Sequence, residues 1–301
     1  MSAHEDGSNR AKWLVACPRC GFGNSIRVMV SAIHAAQEQG LQAAHLWRRD
    51  SPLGCTLVFE DEVTGSRSCD FESLFEPIPE LPPYDDRGQT VRLLYEEGTE
   101  YWHQGLRILD EVAHPCAVFQ HHGPFTEQHL SGVEALVVLT SLNFPIRPAK
   151  KVELYQRYFS PQGHFKRILE EHGDLLDGRW LCIHLRTQVR TAFCVPEWDL
   201  DEMVQKALEI TREIEFDRMI VFSDSEEARG EFIRRCSSQV PVRVLNWGNQ
   251  GIWETMFLDF LAISKATLIL SSGISSFSYE ASLFGGGIPV FDMCQGLLVP
   301  T

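Results

Sequence analysis

The sequence contains no apolar run approaching the roughly 18 residues that a membrane-spanning helix needs, and no internal repeat or low-complexity tract. A transmembrane bundle and a solenoid array are thereby set aside. Basic residues are the minority charge: 27 Lys plus Arg stand against 41 Asp plus Glu, for a formal net charge of -14. Such a surface repels polyanions, so no nucleic-acid partner is expected. Cysteine is present but unpatterned. The nine, at 17, 20, 55, 69, 116, 182, 194, 236 and 294, lack the close, even spacing of a secreted disulfide scaffold and read mostly as reduced core residues. "CPRC" (17–20) has no second pair of ligands at zinc spacing, so no metal site is expected. The opening "MSAHEDGSNRAKW" mixes charges and lacks an apolar stretch of signal-peptide length, which points to a cytoplasmic chain.

What is present is ordinary globular material, 44% hydrophobic and 23% charged, in a length that accommodates two domains, drawn at 1–148 and 149–301. The second half alternates short β-branched runs with stretches of helical period. "LCIHL" (181–185) precedes a helix predicted near 199–214, "MIVF" (219–222) one over 225–236, and "VRVLNW" (242–247) one over 253–264. "TLIL" (267–270), a short helix over 276–284 and "IPVF" (288–291) complete the series. Strands joined by crossover helices make a parallel, doubly wound sheet whose ligand crevice lies at the strands' carboxyl ends. The first half opens similarly, with "WLVAC" (13–17), a glycine turn, a helix over 25–39 stopped by Gly40, and a strand in "LQAAHLW". Further on, "EPIPELPPYDD" excludes regular structure through its four prolines. Strands are predicted at "VRLLY" and "CAVFQ", helices near 100–111 and 127–141, and a linker at "NFPIRPAKK" (143–151).

Chemistry gathers in a few places. Alternation along "LCIHLRTQVR" (181–190) puts His184 and Arg186 on one face at a strand's carboxyl end, where an arginine fork can clamp a phosphate. The competing reading is an arginine paired to a carboxylate and a histidine satisfied in the core. "SSGISSFSYEASLFGG" (271–286) runs from strand to helix, so the hydroxyls and N–H groups of Ser275, Ser276 and Phe277 form an anion site at a helix N-terminus, or else plain caps. Asp224 in "VFSDSEEAR" (221–229) either caps the next helix or bonds a nucleotide hydroxyl. In "GFGNSIR" (21–27), Gly21 and Gly23 allow a tight turn and close backbone approach, and Asn24 offers a donor and an acceptor. The third glycine of a dinucleotide fingerprint is missing, which disfavours NAD. His121, His122, Trp102, Trp198, Trp247 and Trp253 are weaker acceptor or sugar-stacking candidates, with a solvated loop or the core as their default places.

Together, "GFGNSIR", "HLRTQVR", "VFSDSEEAR" and "DFLAISKATLILSSGISSFSYEASLFGG" resemble the fucosyltransferase superfamily that includes the α1,2-, α1,6- and protein O-fucosyltransferases. The blocks span 21 to about 286; the stretch from 41 to about 150 carries no match. The resemblance implies an α/β, GT-B fold, two Rossmann-like doubly wound domains facing a cleft. It also implies metal-independent, inverting transfer of fucose from GDP-fucose to a glycan or protein acceptor, with no cofactor besides the donor. Carried onto this chain, it has Arg186 gripping the β-phosphate with His184 beside it, and Asp259 recognising the guanine end. Ser275, Ser276 and Phe277 would line the diphosphate, with Gly23 and Asn24 approaching pyrophosphate and sugar from the other domain. The family motif His-x-Arg-x-x-Asp has Val189 at its aspartate position here. A different nucleotide sugar, or a nucleotide-sugar-binding protein without turnover, therefore stands as the alternative. For the base that takes the acceptor proton, Glu197 is preferred to Asp199, whose place before an apolar-periodic segment reads as a helix N-cap.

Overall fold

Two compact units, 1–147 and 148–301, divide the chain, and each is built on its own sheet. The structure, a computed structural model, describes residues 11–18, 21–48, 51, 69–87, 91–94, 116–120, 132–140, 145–187, 199–273, 275–293 and 296–299. No helix among these residues is long and apolar enough to cross a membrane.

In the first unit, strand β1 (Trp13–Pro18), helix α1 (Phe22–Gln39) and β2 (Gln42–His45) form a right-reading βαβ start. A short helix α2 (Phe71–Leu74) and strands β3 (Val91–Leu94), β4 (Cys116–Gln120) and β5 (Ala135–Thr140) follow. All pairings are parallel, in the order β2-β1-β5-β4-β3. Gly40 ends α1 as expected, in the left-handed region at φ 65°, where a side chain would be strained. The helix predicted near 127–141 is a correction: 135–140 is the central strand β5. Its "ALVVLT" is apolar on both faces because both are covered, and Ala135 to Val138 are all fully buried. That is the pattern of an interior parallel strand and not of an amphipathic helix. The helix predicted near 100–111 lies outside the described residues, as do Trp102, His121, His122 and Trp198.

The second unit opens with α3 (Pro148–Tyr158), α4 (Gly163–Glu171) and α5 (Gly173–Leu176), then alternates β6 (Trp180–Leu185), α6 (Leu200–Glu213), β7 (Arg218–Ser223), α7 (Glu226–Cys236) and β8 (Val242–Arg243). It closes with α8 (Ile252–Ile263), β9 (Leu268–Ser271), α9 (Ser276–Phe284), β10 (Val290–Asp292) and β11 (Leu297–Val299). The sequence-predicted βα succession is therefore present, with three differences. The linker drawn at 143–151 is half helix: Pro148 is its first residue, a position where the missing N–H is no loss. "VRVLNW" contributes only two residues of strand before the chain leaves the sheet. A terminal strand, β11, pairs antiparallel with β10.

Sheet order is β11-β10-β9-β6-β7-β8, so the chain starts in the middle, winds one way through β7 and β8, and returns to wind the other way from β9. The reversal falls between β6 and β9, which are hydrogen-bonded neighbours. In a doubly wound sheet that switch point is where ligands bind. Leu181, Ile183 and Leu185 pack into a core with Met203, Ala207 and Phe232 from α6 and α7; each such buried side chain contributes roughly 1.5–3 kcal/mol. Trp180, Cys182 and His184 occupy the opposite face, under α8 and α9. There Phe260 of α8 and Phe277 of α9 meet edge to face, 5.6 Å apart. The end of α9 lies so close to the end of α8 that a Cβ on Gly285 would overlap the Ser264 carbonyl.

Cysteines 17, 69, 182 and 236 are buried. Burial pushes the Cys182 thiol well above its usual value, with the Asp259 carboxylate adding to the effect, so it is an inert core residue.

Candidate functional site

The carboxyl ends of β6 and β9 bring two of the sequence blocks into direct contact. Ser272 N–H donates to the His184 carbonyl at 3.0 Å, and Ser272 Oγ accepts from Arg186 N–H at 2.9 Å. On the other side, Thr187 donates through both its N–H and its Oγ1 to Asp224 Oδ1, at 2.8 and 2.7 Å. The turn carrying Arg186 is thus clasped from β9 and from the end of β7, while the arginine side chain itself is exposed. Neither Ser272 nor Thr187 was singled out by the sequence; a serine in "SSGISS" and a threonine after an arginine carry no distinctive spacing.

His184 is buried, and its ring stacks on Phe277 at 5.7 Å with 26° between planes. Its Nδ1 has no hydrogen-bond partner among the described residues. Burial depresses its pKa to about 4, with the Arg186 cation reinforcing the shift and Asp224 opposing it. At neutral pH the imidazole is therefore uncharged, able to give or take one hydrogen bond but not to act as a cation. A buried ring nitrogen without a partner is costly unless a ligand supplies one.

Beside it, Ser275 occupies the N-cap position of α9 but its hydroxyl makes no capping bond. Plain capping does not account for this serine. The first turn of α9 contains no acidic residue, and its leading N–H groups, at Ser276 and Phe277, have no carbonyl to reach within the helix. Below them, Ser271 Oγ donates to the Gly273 carbonyl at 2.9 Å and lies 3.2 Å from Ser278 Oγ, tying the turn to the sheet.

Of the two roles open to Asp224, the helix cap is taken by its neighbour. Ser225 is the N-cap of α7, accepting from Ala228 N–H at 3.2 Å, while Asp224 holds Thr187. Asp199 does cap α6, accepting from Asp201 N–H at 2.7 Å. Glu197, Val189 and Arg190 lie outside the described residues.

Asp259 sits on α8, half-buried, where Trp247 Nε1–H donates to its Oδ1 at 2.7 Å. Trp247 is therefore a buried partner of the carboxylate and not an exposed stacking surface. Burial raises the Asp259 pKa to about 6, against the Trp247 hydrogen bond and the Arg229 charge, which lower it. Because the folded value lies above the ordinary 3.8, this group favours folding below about pH 4, and that contribution is lost as pH rises through 6. Asp259→Asn retains the Trp247 bond without the buried charge. In urea titrations the variant should be more stable than the parent by on the order of 1–2 kcal/mol at pH 8, with the gap closing by pH 4; a gap that widens on acidification contradicts the assignment.

In the first unit, considered alone, the carboxyl end of β1 leads to the amino end of α1, next to the neighbouring β5. The glycine turn is corrected here. α1 begins at Phe22, so Gly23 and Asn24 are already helical, and Gly21 holds an ordinary extended conformation at φ -63°, ψ 167°. Asn24 and Ser25 N–H both donate to the Gly21 carbonyl, at 3.0 and 3.1 Å. What the block supplies is a helix N-terminus with no acidic residue and no side-chain cap, in place of a looped glycine cradle.

No family model matches the chain, and no curated protein matches it. Solved structures do. The fucosyltransferase NodZ from Bradyrhizobium superposes with a TM-score of 0.61 at 14% identity, over 97% of this chain and 99% of that one. POFUT1 in complex with GDP gives 0.59 at 12% identity, over 93% and 97% of the two chains. The chain shares the fold of these fucosyltransferases. Further matches are the NodZ α-1,6-fucosyltransferase soaked with GDP-fucose, at a TM-score of 0.60 and 14% identity over 97% and 99%, and POFUT1 in complex with GDP-fucose, at 0.58 and 13% over 92% and 94%. At such identities the likeness is one of backbone architecture, and the side chains at the β6/β9 switch point must be judged on their own geometry. They comprise one exposed arginine side chain, one neutral buried imidazole whose Nδ1 has no partner among the described residues, and one serine hydroxyl that does not cap its helix.

Proposed function

We propose that the chain is an inverting, metal-independent glycosyltransferase that moves fucose from GDP-fucose to a hydroxyl of a glycan or protein acceptor, its two α/β units being the lobes of a GT-B enzyme. One observation supports this most: at the switch point of a doubly wound sheet, beside Arg186, the buried His184 Nδ1 has no partner among the described residues and the Ser275 hydroxyl does not cap its helix. Such a set suits a doubly charged diphosphate. The Arg186 fork and the α9 N–H groups neutralise the phosphate oxygens, and His184 gives a single neutral hydrogen bond. Asp259, as a carboxylate, accepts from the guanine edge.

The acceptor oxygen attacks the anomeric carbon, the bond from that carbon to the diphosphate oxygen breaks, and GDP leaves with the electron pair. The acceptor proton passes to a base, assigned to Glu197 from its place in the sequence. Stabilising the departing diphosphate is the larger part of the work, and Arg186 contributes most of it because its charge faces the atoms where negative charge accumulates. Gly23 and Asn24, at the amino end of α1, are assigned to the sugar and pyrophosphate.

GDP should raise the melting temperature while UDP, dTDP and NAD do not. A ligand at a hundredfold its Kd stabilises by about 2.7 kcal/mol, which corresponds to roughly 5 °C or more for a protein of this size. Equal shifts from all four ligands would exclude a guanine-selective site. Val189 at the motif aspartate favours, as a second reading, a different nucleotide-sugar donor, and a donor panel assayed for hydrolysis and transfer separates that reading, and a binder without turnover, from the first.

A further inference from the structure

Away from the switch point, α3 and α9 pack together through apolar residues, with the Tyr155 and Phe284 rings 5.5 Å apart. Set into that seam is a lysine–glutamate pair. Lys151 Nζ donates to Glu280 Oε1 at 2.7 Å, and Tyr155 OH donates to Glu280 Oε2 at 2.7 Å. The two charged side chains are only 3% and 0% exposed. Burying such a pair gains little net stability over an apolar replacement of the same shape, since desolvation offsets the attraction. Its distinctive property is geometric. An apolar seam between helices tolerates a small slide or rotation, but shifting α9 by one residue turns Glu280 by about 100° and leaves a carboxylate and an ammonium apart in the interior.

Glu280 stands one turn inside Ser276 on the same helix. The ends of α9 are tied separately: Ser278 to Ser271 at 3.2 Å, and Ser282 Oγ to the Ile288 carbonyl at 2.5 Å. The middle is held by Glu280. We propose that Lys151, Glu280 and Tyr155 are positioning residues that fix the rotation and register of α9, and with it the aim of the N–H groups of Ser276 and Phe277 at the donor diphosphate; the inference rests on the donor-site reading above. The triad touches no substrate. It acts through a rigid helix, and a misplacement of about 1 Å at such a site costs up to about a hundredfold in function.

The double variant Lys151→Met/Glu280→Gln tests this. It removes both charges together, keeps an acceptor for Tyr155 and leaves the seam filled, so its melting temperature should stay within a few degrees of the parent. By calorimetry its Kd for GDP should rise about tenfold, and donor KM in parallel, while acceptor KM does not move. Tyr155→Phe, which leaves the ion pair intact and removes only one of the two bonds to Glu280, should raise the Kd by less, about threefold. A folded double variant that binds GDP like the parent overturns the proposal. Should the double variant fail to fold, Tyr155→Phe decides, and an unchanged Kd overturns it equally. Failure of the unsubstituted chain to bind GDP removes the donor-site reading and this inference with it, and that failure is seen before any substitution is made.

Discussion

Replacing Arg186 with alanine should lower sugar transfer about a thousandfold, ~4 kcal/mol in the transition state, with the circular dichroism spectrum and melting temperature unchanged. The two halves of this expectation have separate grounds. Stability survives because the backbone bonds that hold this turn are kept: Arg186 N–H is held by Ser272 Oγ at 2.9 Å, the next residue is clasped by Asp224, and alanine leaves both in place. An exposed side chain away from the core contributes within about 0.5 kcal/mol. Turnover fails because the neighbouring groups cannot substitute for the lost charge. His184 is neutral at pH 7, its pKa held at about 4 by burial, and helix N–H groups supply only partial charge. Arg186→Lys should recover only part of the loss, because an ammonium is a point charge without the two-pronged geometry that a phosphate accepts. Steady-state kinetics on the three proteins checks the series. Full activity of the alanine variant would remove the arginine from the mechanism.

The parts legible in the sequence were those that repeat a local rule. Short, β-branched apolar runs in the second half are strands buried on both faces, as the six residues Trp180–Leu185 are, and the alternation along that strand correctly separated Leu181, Ile183 and Leu185 from His184. Gly40 and Asp199 were legible as helix ends because capping depends on one residue and its immediate neighbours.

What was not legible depends on partners distant in sequence. "ALVVLT" reads as helix or strand until β1 and β4 flank it on either side. Asp224 reads locally as a cap for the next helix, and its bond to Thr187, 37 residues away, is not visible in the pattern. The cap hydroxyl of Ser275 is informative only because the structure shows that it is not capping. Trp247 and Asp259 are separated by twelve positions across a loop and a helix start, a spacing that no pattern marks.

"AKK" (149–151) is the sharpest case, and it yields the second large effect. The two lysines are adjacent, and the sequence places both in the linker at 143–151. Lys150 pairs with Glu153 at 2.7 Å on the surface, with side chains 35% and 53% exposed, whereas Lys151, the next residue on the helix, points inward to Glu280. Lys151→Ala should therefore destabilise the protein by about 3–5 kcal/mol, because it leaves a fully buried carboxylate with one neutral donor, Tyr155, in place of its counter-ion. Lys150→Ala should cost less than about 1 kcal/mol, as exposed pairs do. Against a typical total of 5–15 kcal/mol the first change is a large share and the second is negligible. Urea denaturation of the two variants side by side makes the comparison with the charge change held equal. Similar losses at both positions would show that Glu280 does not depend on the lysine, and the case for a register lock between α3 and α9 would fall with it.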